Sequence, residues 1–208
     1  MRGHNVNTKL TEHVHWVGVV DWGLHHFHGH ELSTHRGSSY NAYVVKDERT
    51  ALVDTVWGPF KDEFLSRLRD VVDPASIDYV VVNHAEPDHS GALPELLEVC
   101  PDAKVIVSKR GLKILEGHYH RNWNFHPVGT GDSINLGRQE LVFVEAPLLH
   151  WPDSMFTYAT GDQVLMPNDA FGQHYATAYR CNDQVDQIEL FQEALKYYAN
   201  ILTPFSDR

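Results

Sequence analysis

Four side chains that can bind a metal ion lie within six consecutive residues, in the run His84-Ala85-Glu86-Pro87-Asp88-His89. The run directly follows a tyrosine and three valines, a pattern typical of a buried strand. Alternate residues of an extended chain share a face, so an extended continuation would place His84, Glu86 and Asp88 together, and a turn after Asp88 would return His89 to them. A solvated acidic loop does not explain four ligand types beside a buried strand. The run therefore indicates a metal site at a strand end, with ligands enough for two cations.

The ligand types narrow the choice of metal. Two imidazoles and two carboxylates form a nitrogen and oxygen set that suits iron, manganese or zinc, whereas structural zinc sites more often use cysteine. Cys100 and Cys181 are far apart and in no metal-binding or redox spacing. We therefore expect them to be free thiols in a reducing compartment.

Two further candidates follow other apolar segments. His150 comes after Leu141-Val142-Phe143-Val144, and Asp169 comes after Val164-Leu165-Met166. This repeats the order of strand and then ligand seen at His84. Asp169 either caps its own backbone as a turn residue or supplies a carboxylate that bridges two metals.

Hydrophobic periodicity predicts the elements that would position these residues. Apolar residues at three- and four-residue spacing predict an early helix through Phe60, Phe64, Leu68 and Val71, and a last helix over about 186–202 that Pro204 prevents from continuing. Between them, strand, helix, strand and helix alternate before a series of short strands. The predicted strands span 15–20, 40–45, 51–54, 79–83, 104–107, 124–128, 133–136, 140–145, 154–159 and 163–166; the middle helices follow Pro94 and span 111–115. Two sheets sandwiched between helices fit this order, which makes the fold class α+β.

Composition limits the class of protein further. At 208 residues and 42% hydrophobic content, the chain is long enough for one sizeable core, so we expect a single domain over 1–208. A formal net charge of -11 argues against nucleic acid as a partner, because phosphates would be repelled. The sequence has neither an apolar signal segment nor eighteen consecutive apolar residues, so we expect a cytoplasmic protein that does not contact the membrane.

The pattern His84-x-Glu86-x-Asp88-His89, followed by His150 and Asp169, resembles the metallo-β-lactamase-like domain of the flavodiiron proteins, also called A-type flavoproteins or the flavorubredoxin family. The ordinary hydrolases of that superfamily carry histidine where this sequence has Glu86. The resemblance covers nearly the whole chain, through Asp21-Trp22, Phe27-His28-Gly29, Arg36-Gly37-Ser38-Ser39-Tyr40-Asn41, His150-Trp151-Pro152-Asp153-Ser154-Met155, Asn168-Asp169-Ala170-Phe171-Gly172-Gln173-His174 and Tyr197-Tyr198-Ala199-Asn200-Ile201-Leu202.

This resemblance implies a metallo-β-lactamase-like αββα sandwich, with two mixed sheets flanked by helices, and a role for each ligand. One iron would be bound by His84, Glu86 and His150, the other by Asp88 and His89, with Asp169 as the bridge. His28 matches a family position near the diiron pocket, where a catalytic histidine could donate a hydrogen bond to a bound ligand or orient a metal ligand. A plain loop histidine is the alternative for His28.

The same resemblance implies an activity and partners. Two irons and FMN would reduce dioxygen to water, nitric oxide to nitrous oxide, or both, with a rubredoxin-like or flavin electron donor and a head-to-tail homodimer. The sequence stops at Arg208, before the segment that carries the family's remaining histidine ligand and before its flavodoxin-like FMN domain. We therefore expect a metallo-β-lactamase-like domain that is incomplete at its C-terminus, with the flavin domain absent or on another polypeptide.

Two alternatives to a diiron reductase stay open. A zinc-dependent hydrolase of the same fold would use a zinc-bound hydroxide, and an inactive remnant would bind metal without turnover. Glu86 favours iron redox chemistry over the hydrolase, and the missing histidine favours the remnant. His118 and His120 have the spacing of a zinc-hydrolase ligand pair, but Gly117 and the strand that follows favour a surface turn.

Overall fold

The computed structural model describes residues 9–27 and 32–205. These residues form fourteen strands and five α-helices; four of the helices lie between the seventh and tenth strands, and the fifth follows the last strand. The strands are β1 (Val14–Trp16), β2 (Val19–Asp21), β3 (His26–Phe27), β4 (Leu32–Ser33), β5 (Ser38–Tyr40), β6 (Tyr43–Lys46), β7 (Thr50–Val53), β8 (Tyr79–Val82), β9 (Lys104–Ser108), β10 (Phe125–Val128), β11 (Ser133–Asn135), β12 (Glu140–Glu145), β13 (Met155–Ala159) and β14 (Val164–Met166). The helices are α1 (Lys61–Val71), α2 (Pro87–Ser90), α3 (Leu93–Val99), α4 (Lys109–Tyr119) and α5 (Gln187–Tyr197).

A mixed six-stranded sheet carries most of the fold, in the order β1-β6-β7-β8-β9-β10. Strands β1, β6 and β7 pair antiparallel, while β7 to β10 pair parallel through crossovers that contain α1, α2, α3 and α4. All four residues of β8 are buried, as expected for a parallel strand covered on both faces. The carboxyl ends of these parallel strands therefore meet at one edge.

Helices cover one face of this sheet. Phe64 and Leu68 of α1, Leu96 of α3 and Leu115 of α4 are fully buried in one cluster that also contains the sheet residue Val80. In α1, Phe64 and Leu68 are four residues apart and lie on the apolar face that the sequence predicts for this helix. Apolar burial on this side fixes the helices against the sheet.

A second sheet packs against the other face. It has four strands in the order β11-β12-β13-β14, all antiparallel. Phe143 and Met155 from its inner face are fully buried in a cluster with Val53, Val81 and Ile106 of the first sheet. Its outer face is less covered, and Val144 and Leu165 are exposed there. The two stacked sheets with flanking helices confirm the predicted α+β sandwich.

The described chain closes with α5 and a π-helical turn over Tyr198–Leu202. Tyr197, Ile201 and Leu202 are buried with Leu32 of the small β3–β4 sheet. The predicted apolar stripe on this helix continues N-terminally but is exposed there, at Ile188, Phe191 and Leu195. No helix in the described ranges has the length and apolarity needed to cross a bilayer.

One local prediction is wrong, because the ligand run is extended only as far as Glu86. Residues Pro87–Ser90 form a helical turn, α2, in which the backbone N–H of Gly91 donates to the carbonyl of Pro87 at 2.8 Å. Proline at the first helical position has its φ angle preset for this turn and loses no hydrogen bond there. The Asp88 side chain therefore projects from a helical turn. It does not share one face of an extended strand with His84 and Glu86, as the sequence predicts.

Candidate metal centre

The structure brings all six predicted metal ligands together. His84, Glu86, His150 and Asp169 each offer one ligand atom to a first group, and Asp88, His89 and Asp169 form a second group. Within each group the ligand atoms lie within 4.8 Å of one another. Asp169 belongs to both groups, which is the arrangement expected of a carboxylate that bridges two cations.

In the first group, one carboxylate oxygen lies between two imidazoles. The Oε2 atom of Glu86 is 3.0 Å from Nε2 of His84 and 3.1 Å from Nε2 of His150. Both Nε2 atoms are also 3.5 Å from Oδ2 of Asp169. Two nitrogen and two oxygen atoms thus point toward one small volume.

In the second group, Asp169 presents its other carboxylate oxygen to the neighbouring ligands. Oδ1 of Asp169 is 3.0 Å from Nε2 of His89, and Oδ2 of Asp88 is 3.6 Å from the same nitrogen. Asp169 therefore presents Oδ2 to the first group and Oδ1 to the second. A single side chain links the two candidate cation positions.

The fold positions these ligands at the ends of strands and in the connections that follow. His84 and Glu86 follow β8, with Glu86 immediately before α2, and Asp88 and His89 lie in α2 itself. His150 lies in the connection from β12 to β13. Asp169 follows β14, where Asn168 donates through Nδ2 to the carbonyl of Met155 at 2.8 Å and accepts the backbone N–H of Asp169. The backbone N–H of Asp169 is thus capped by Asn168 and not by its own carboxylate, which is directed at the ligand histidines.

Burial and unpaired oxygens show that the residues fit a pair of cations. His84 is fully buried, and Oδ1 of Asp88 and Oδ2 of Asp169 are buried without a hydrogen-bond partner among the described residues. Burying carboxylate oxygens without a donor is costly, and metal coordination removes that cost. Three imidazoles and three carboxylates with no thiolate match iron, manganese or zinc.

The charges of the first group favour a cation. Burial opposes the protonated form of His84, but hydrogen bonds to the carboxylates of Asp153 and Glu86 outweigh it and raise its pKa to about 9. The pKa of His150 is raised to about 9 in the same way, because Asp169 and Glu86 outweigh burial. Without metal, these imidazoles therefore bind protons at neutral pH, and an entering metal must displace them.

The second group is electrostatically crowded as well. Burial raises the pKa of Asp88 to about 6, with the nearby Asp169 acting in the same direction and His89 opposing both. Burial likewise opposes charge on His89, yet Asp169 and Asp88 raise its pKa well above the usual value. The pKa of Asp169 is held well below its usual range by the three surrounding imidazoles, against the effect of burial. The shared carboxylate is thus the charged centre of the site.

Several polar residues around the site were not selected from the sequence. Asp54 and Asp153 are buried behind ligand histidines. Asp54 directly follows the apolar strand β7, the same signal that identified His84, and Asp153 lies three residues after His150. Tyr197 lines a cavity beside Asp88 and Asp169, and burial together with Asp169 raises the pKa of its hydroxyl well above the usual value.

Three further candidate histidines came from the sequence, namely His28, His118 and His120. His28 falls outside the described residues, so its proposed catalytic role stays a prediction. His118 and His120 are exposed and belong to neither ligand group of the described chain. The pair is on the surface as predicted, but the predicted turn is wrong for His118, which lies in α4; His120 is the left-handed residue that ends this helix.

The stacked sheets and the ligand groups at their edge define a protein of the metallo-β-lactamase-like class. A family model described as "ODP family beta lactamase" matches residues 38–203, and the chain belongs to this family. The resemblance to the metallo-β-lactamase-like domain of flavodiiron proteins is likewise confirmed by the similar proteins.

Curated relatives include a nitric oxide reductase of Moorella thermoacetica, 54% identical over 95% of this chain and 50% of that protein. An anaerobic nitric oxide reductase flavorubredoxin homolog of Escherichia coli O157:H7 is 53% identical over 95% of this chain and 48% of that protein. The chain spans about half the length of the curated relatives it matches.

Solved structures give the same result. The rubredoxin oxygen:oxidoreductase of Desulfovibrio gigas has a TM-score of 0.93 and 41% identity, over 96% of this chain and 50% of that one. The flavodiiron protein of Giardia intestinalis has a TM-score of 0.92 and 39% identity, over 96% of this chain and 49% of that one.

Proposed function

We propose that residues 1–208 form the diiron domain of an oxidoreductase of the flavodiiron type. It reduces dioxygen to water, nitric oxide to nitrous oxide, or both, with electrons from FMN in a flavodoxin-like domain that is separate from these residues. The observation that carries the proposal is the pair of ligand groups joined by Asp169. The names of the relatives support the choice of substrates and the oxidoreductase class.

The proposal gives each ligand a role. His84, Glu86 and His150 would hold one iron, Asp88 and His89 would hold the other, and Asp169 would contribute to both. When bound, a diiron centre supplies electrons and open coordination positions to a diatomic molecule. Glu86, Asp88 and Asp169 together offset three of the positive charges of two ferrous ions, which keeps the buried site close to neutral.

The surrounding residues exclude water and retain protons. Reduction of either diatomic consumes protons. Tyrosine is protonated at neutral pH, and burial and Asp169 raise the pKa of Tyr197 well above its usual value. Tyr197 lines the cavity beside Asp88 and Asp169, so its proton is held close to the bridging ligand. The burial of His84, Glu86 and His89 limits access by bulk water.

The proposal extends to partners and location. A rubredoxin-like protein or a flavin delivers the electrons, as the name of the Desulfovibrio gigas relative suggests, and a head-to-tail homodimer is the expected assembly. Free Cys100 and Cys181 support a cytoplasmic location. A zinc hydrolase is not favoured, because the similar proteins named above are reductases and oxidoreductases.

The test is anaerobic reconstitution with ferrous iron, followed by addition of nitric oxide. We expect about two irons per chain, one nitrous oxide per two nitric oxide molecules consumed, and continued turnover only when a reduced flavin donor is present. Glu86→Ala should lose iron and activity, while Glu98→Ala, an exposed glutamate on α3, should retain both. Hydrolysis of thioester or lactam substrates by the zinc-loaded chain, together with no nitric oxide consumption by the iron-reconstituted chain, would contradict the proposal.

A further inference from the structure

Two buried carboxylates accept hydrogen bonds from the backbone on either side of His84, just after strand β8. Oδ1 of Asp54 accepts the backbone N–H of Asn83 at 2.7 Å, and Oδ2 of Asp153 accepts the backbone N–H of Ala85 at 2.7 Å. Each of the two aspartates is only 2% exposed. Residues 83 and 85 flank the metal ligand, so the backbone is held directly before and directly after it.

The same two carboxylates face the far side of two ligand imidazoles. Asp153 lies 3.3 Å from Nδ1 of His84, and Oδ2 of Asp54 lies 3.6 Å from Nδ1 of His89. In both rings the opposite nitrogen, Nε2, points into a ligand group, at 3.0 Å from Glu86 in one and from Asp169 in the other. His84 and His89 belong to different groups.

We propose that Asp153 and Asp54 are positioning residues, each serving one of the two metals. Asp153 fixes His84 for the first ion, and Asp54 fixes His89 for the second. A carboxylate opposite Nδ1 keeps the proton on that nitrogen, which leaves the Nε2 lone pair free for the metal and fixes the orientation of the ring. This inference rests on the proposed two-metal site.

The two aspartates are held by separate parts of the fold. Asp54 directly follows β7 with a left-handed backbone, φ 59°, and its N–H donates to the carbonyl of Val81 at 2.8 Å. Asp153 lies before β13, and its carbonyl accepts the hydroxyl of Ser108 at 2.9 Å. Because their supports differ, the loss of one carboxylate need not disturb the other.

Asparagine is the informative substitution at both positions. Its carbonyl oxygen can still accept the backbone N–H of Asn83 or Ala85, so the purely structural bond is retained. At position 54 the amide nitrogen then takes the place of Oδ2, which faces Nδ1 of His89, and cannot accept a proton from it. At position 153 both carboxylate oxygens lie 3.3 Å from Nδ1 of His84, so the amide nitrogen replaces one of the two acceptors. That pairing favours a proton on Nε2, the tautomer that cannot bind metal through this nitrogen.

The experiment measures ferrous iron binding to the whole chain by anaerobic equilibrium dialysis in two backgrounds. Asp88→Ala disables the second group and reports on the first, whereas His150→Ala weakens the first and reports on the second. We expect Asp153→Asn to weaken iron binding roughly 10- to 100-fold in the Asp88→Ala background and not in the His150→Ala background. Asp54→Asn should show the reverse pattern.

Asp102→Asn, at an exposed aspartate, is the matched control and should change neither affinity. Equal losses in both backgrounds, or no loss in either, would overturn the positioning roles while the two irons of the unsubstituted chain still support the proposed function. An unsubstituted chain that binds no iron would overturn both.

A second measurement does not depend on the folding of any variant. In the zinc-loaded chain, ¹⁵N NMR should show His84 and His89 each with a proton on Nδ1 and a metal-bound Nε2. A metal-bound Nδ1 in either ring would overturn the assignment for that histidine.

Discussion

At the scale of single residues, Glu86 gives the first ligand group its character. Its Oε2 lies about 3 Å from the Nε2 atoms of both His84 and His150, so a charged oxygen stands between two imidazoles. A carboxylate hardens a ligand set relative to a third imidazole, and harder sets suit iron and manganese. The identity of this one side chain should therefore influence which metal the chain retains.

Glu86→His should shift the preference of the chain from iron toward zinc. With imidazole in place of the carboxylate, the first group loses a negative charge and becomes softer. Competition between equal concentrations of ferrous iron and zinc, followed by metal analysis, should show a lower iron-to-zinc ratio than for the unsubstituted chain.

Glu98→His provides the control, because Glu98 is exposed and belongs to neither ligand group. Its metal ratio should equal that of the unsubstituted chain. An unchanged ratio in Glu86→His would show that Glu86 does not determine metal preference.

The raised pKa values of His84 and His150 predict how the stability of the metal-free chain depends on pH. Each imidazole titrates near 6.5 when unfolded and at about 9 when folded. The folded state binds the proton more tightly, so the stabilisation is fully present below pH 6.5 and is lost as pH rises to about 9. Thermal unfolding of the metal-free chain should therefore show Tm falling between pH 6.5 and 9.

His150→Ala removes one of the three imidazoles whose pKa values are raised, so its Tm should fall less steeply over the same range. Metal-loaded chain should also show a shallower decline, because bound metal keeps the imidazoles deprotonated. A Tm that rises or stays constant in the metal-free chain would contradict the pKa assignments.

At the scale of elements, the short helix α2 depends on a close backbone approach. A Cβ atom built on Gly91 would overlap the carbonyl oxygen of Pro87 and lie 2.5 Å from the backbone nitrogen of Gly58. Both obstacles are backbone atoms, which cannot move as a flexible side chain would. The position of Asp88 and His89 in α2 thus depends on a residue that carries no ligand.

Gly91→Ala should destabilise the chain by roughly 1–3 kcal/mol, as expected for overpacking, and should reduce metal binding at the second group. Gly117→Ala is the matched substitution, because Gly117 is exposed within α4 and has nothing within 4 Å of an added Cβ. It should stabilise the chain by roughly 0.5–1 kcal/mol. Urea unfolding measures both changes in the free energy of unfolding. Changes of the same sign in the two variants would contradict the different surroundings of the two glycines.

The elements also show what sequence patterns could and could not predict. Strands such as β8 and β12 were predicted to within one residue or so, because apolar runs at strand length reflect burial in a sheet. Helix α2 was missed because four residues are too few for a periodic signal, although Pro87 at its first position indicates a helix start. The hydrogen bonds from the backbone of residues 83 and 85 to Asp54 and Asp153 join segments that are distant in sequence. No local sequence pattern could therefore predict them.

At the scale of the whole molecule, one surface is unusually apolar. Ile188, Phe191 and Leu195 lie along one side of α5 and are each more than half exposed, as is Phe171 nearby. Contiguous exposed apolar surface favours association in water. We therefore expect the 208-residue chain to self-associate as its concentration rises.

Phe191→Lys should weaken this association by about tenfold or more, because burial of a phenylalanine side chain contributes about 1.5–3 kcal/mol. Sedimentation velocity over a concentration series measures the change. Gln192→Lys adds the same charge to an exposed neighbour without removing apolar surface, so it should have a smaller effect. Equal effects of the two variants would show that charge, and not the apolar side of α5, controls association.

The backbone hydrogen bonds to Asp54 and Asp153 have a consequence for the entropy of metal uptake. Hydrogen bonds to Asn83 and Ala85 immobilise the backbone around His84 when the chain folds, so the conformational freedom of this ligand is lost before any ion arrives. An entering ion then orders little of the protein, and its binding free energy is not reduced by that ordering. The site is in this sense preorganised, and exchange of one metal for another should leave the backbone at residues 83–85 unchanged.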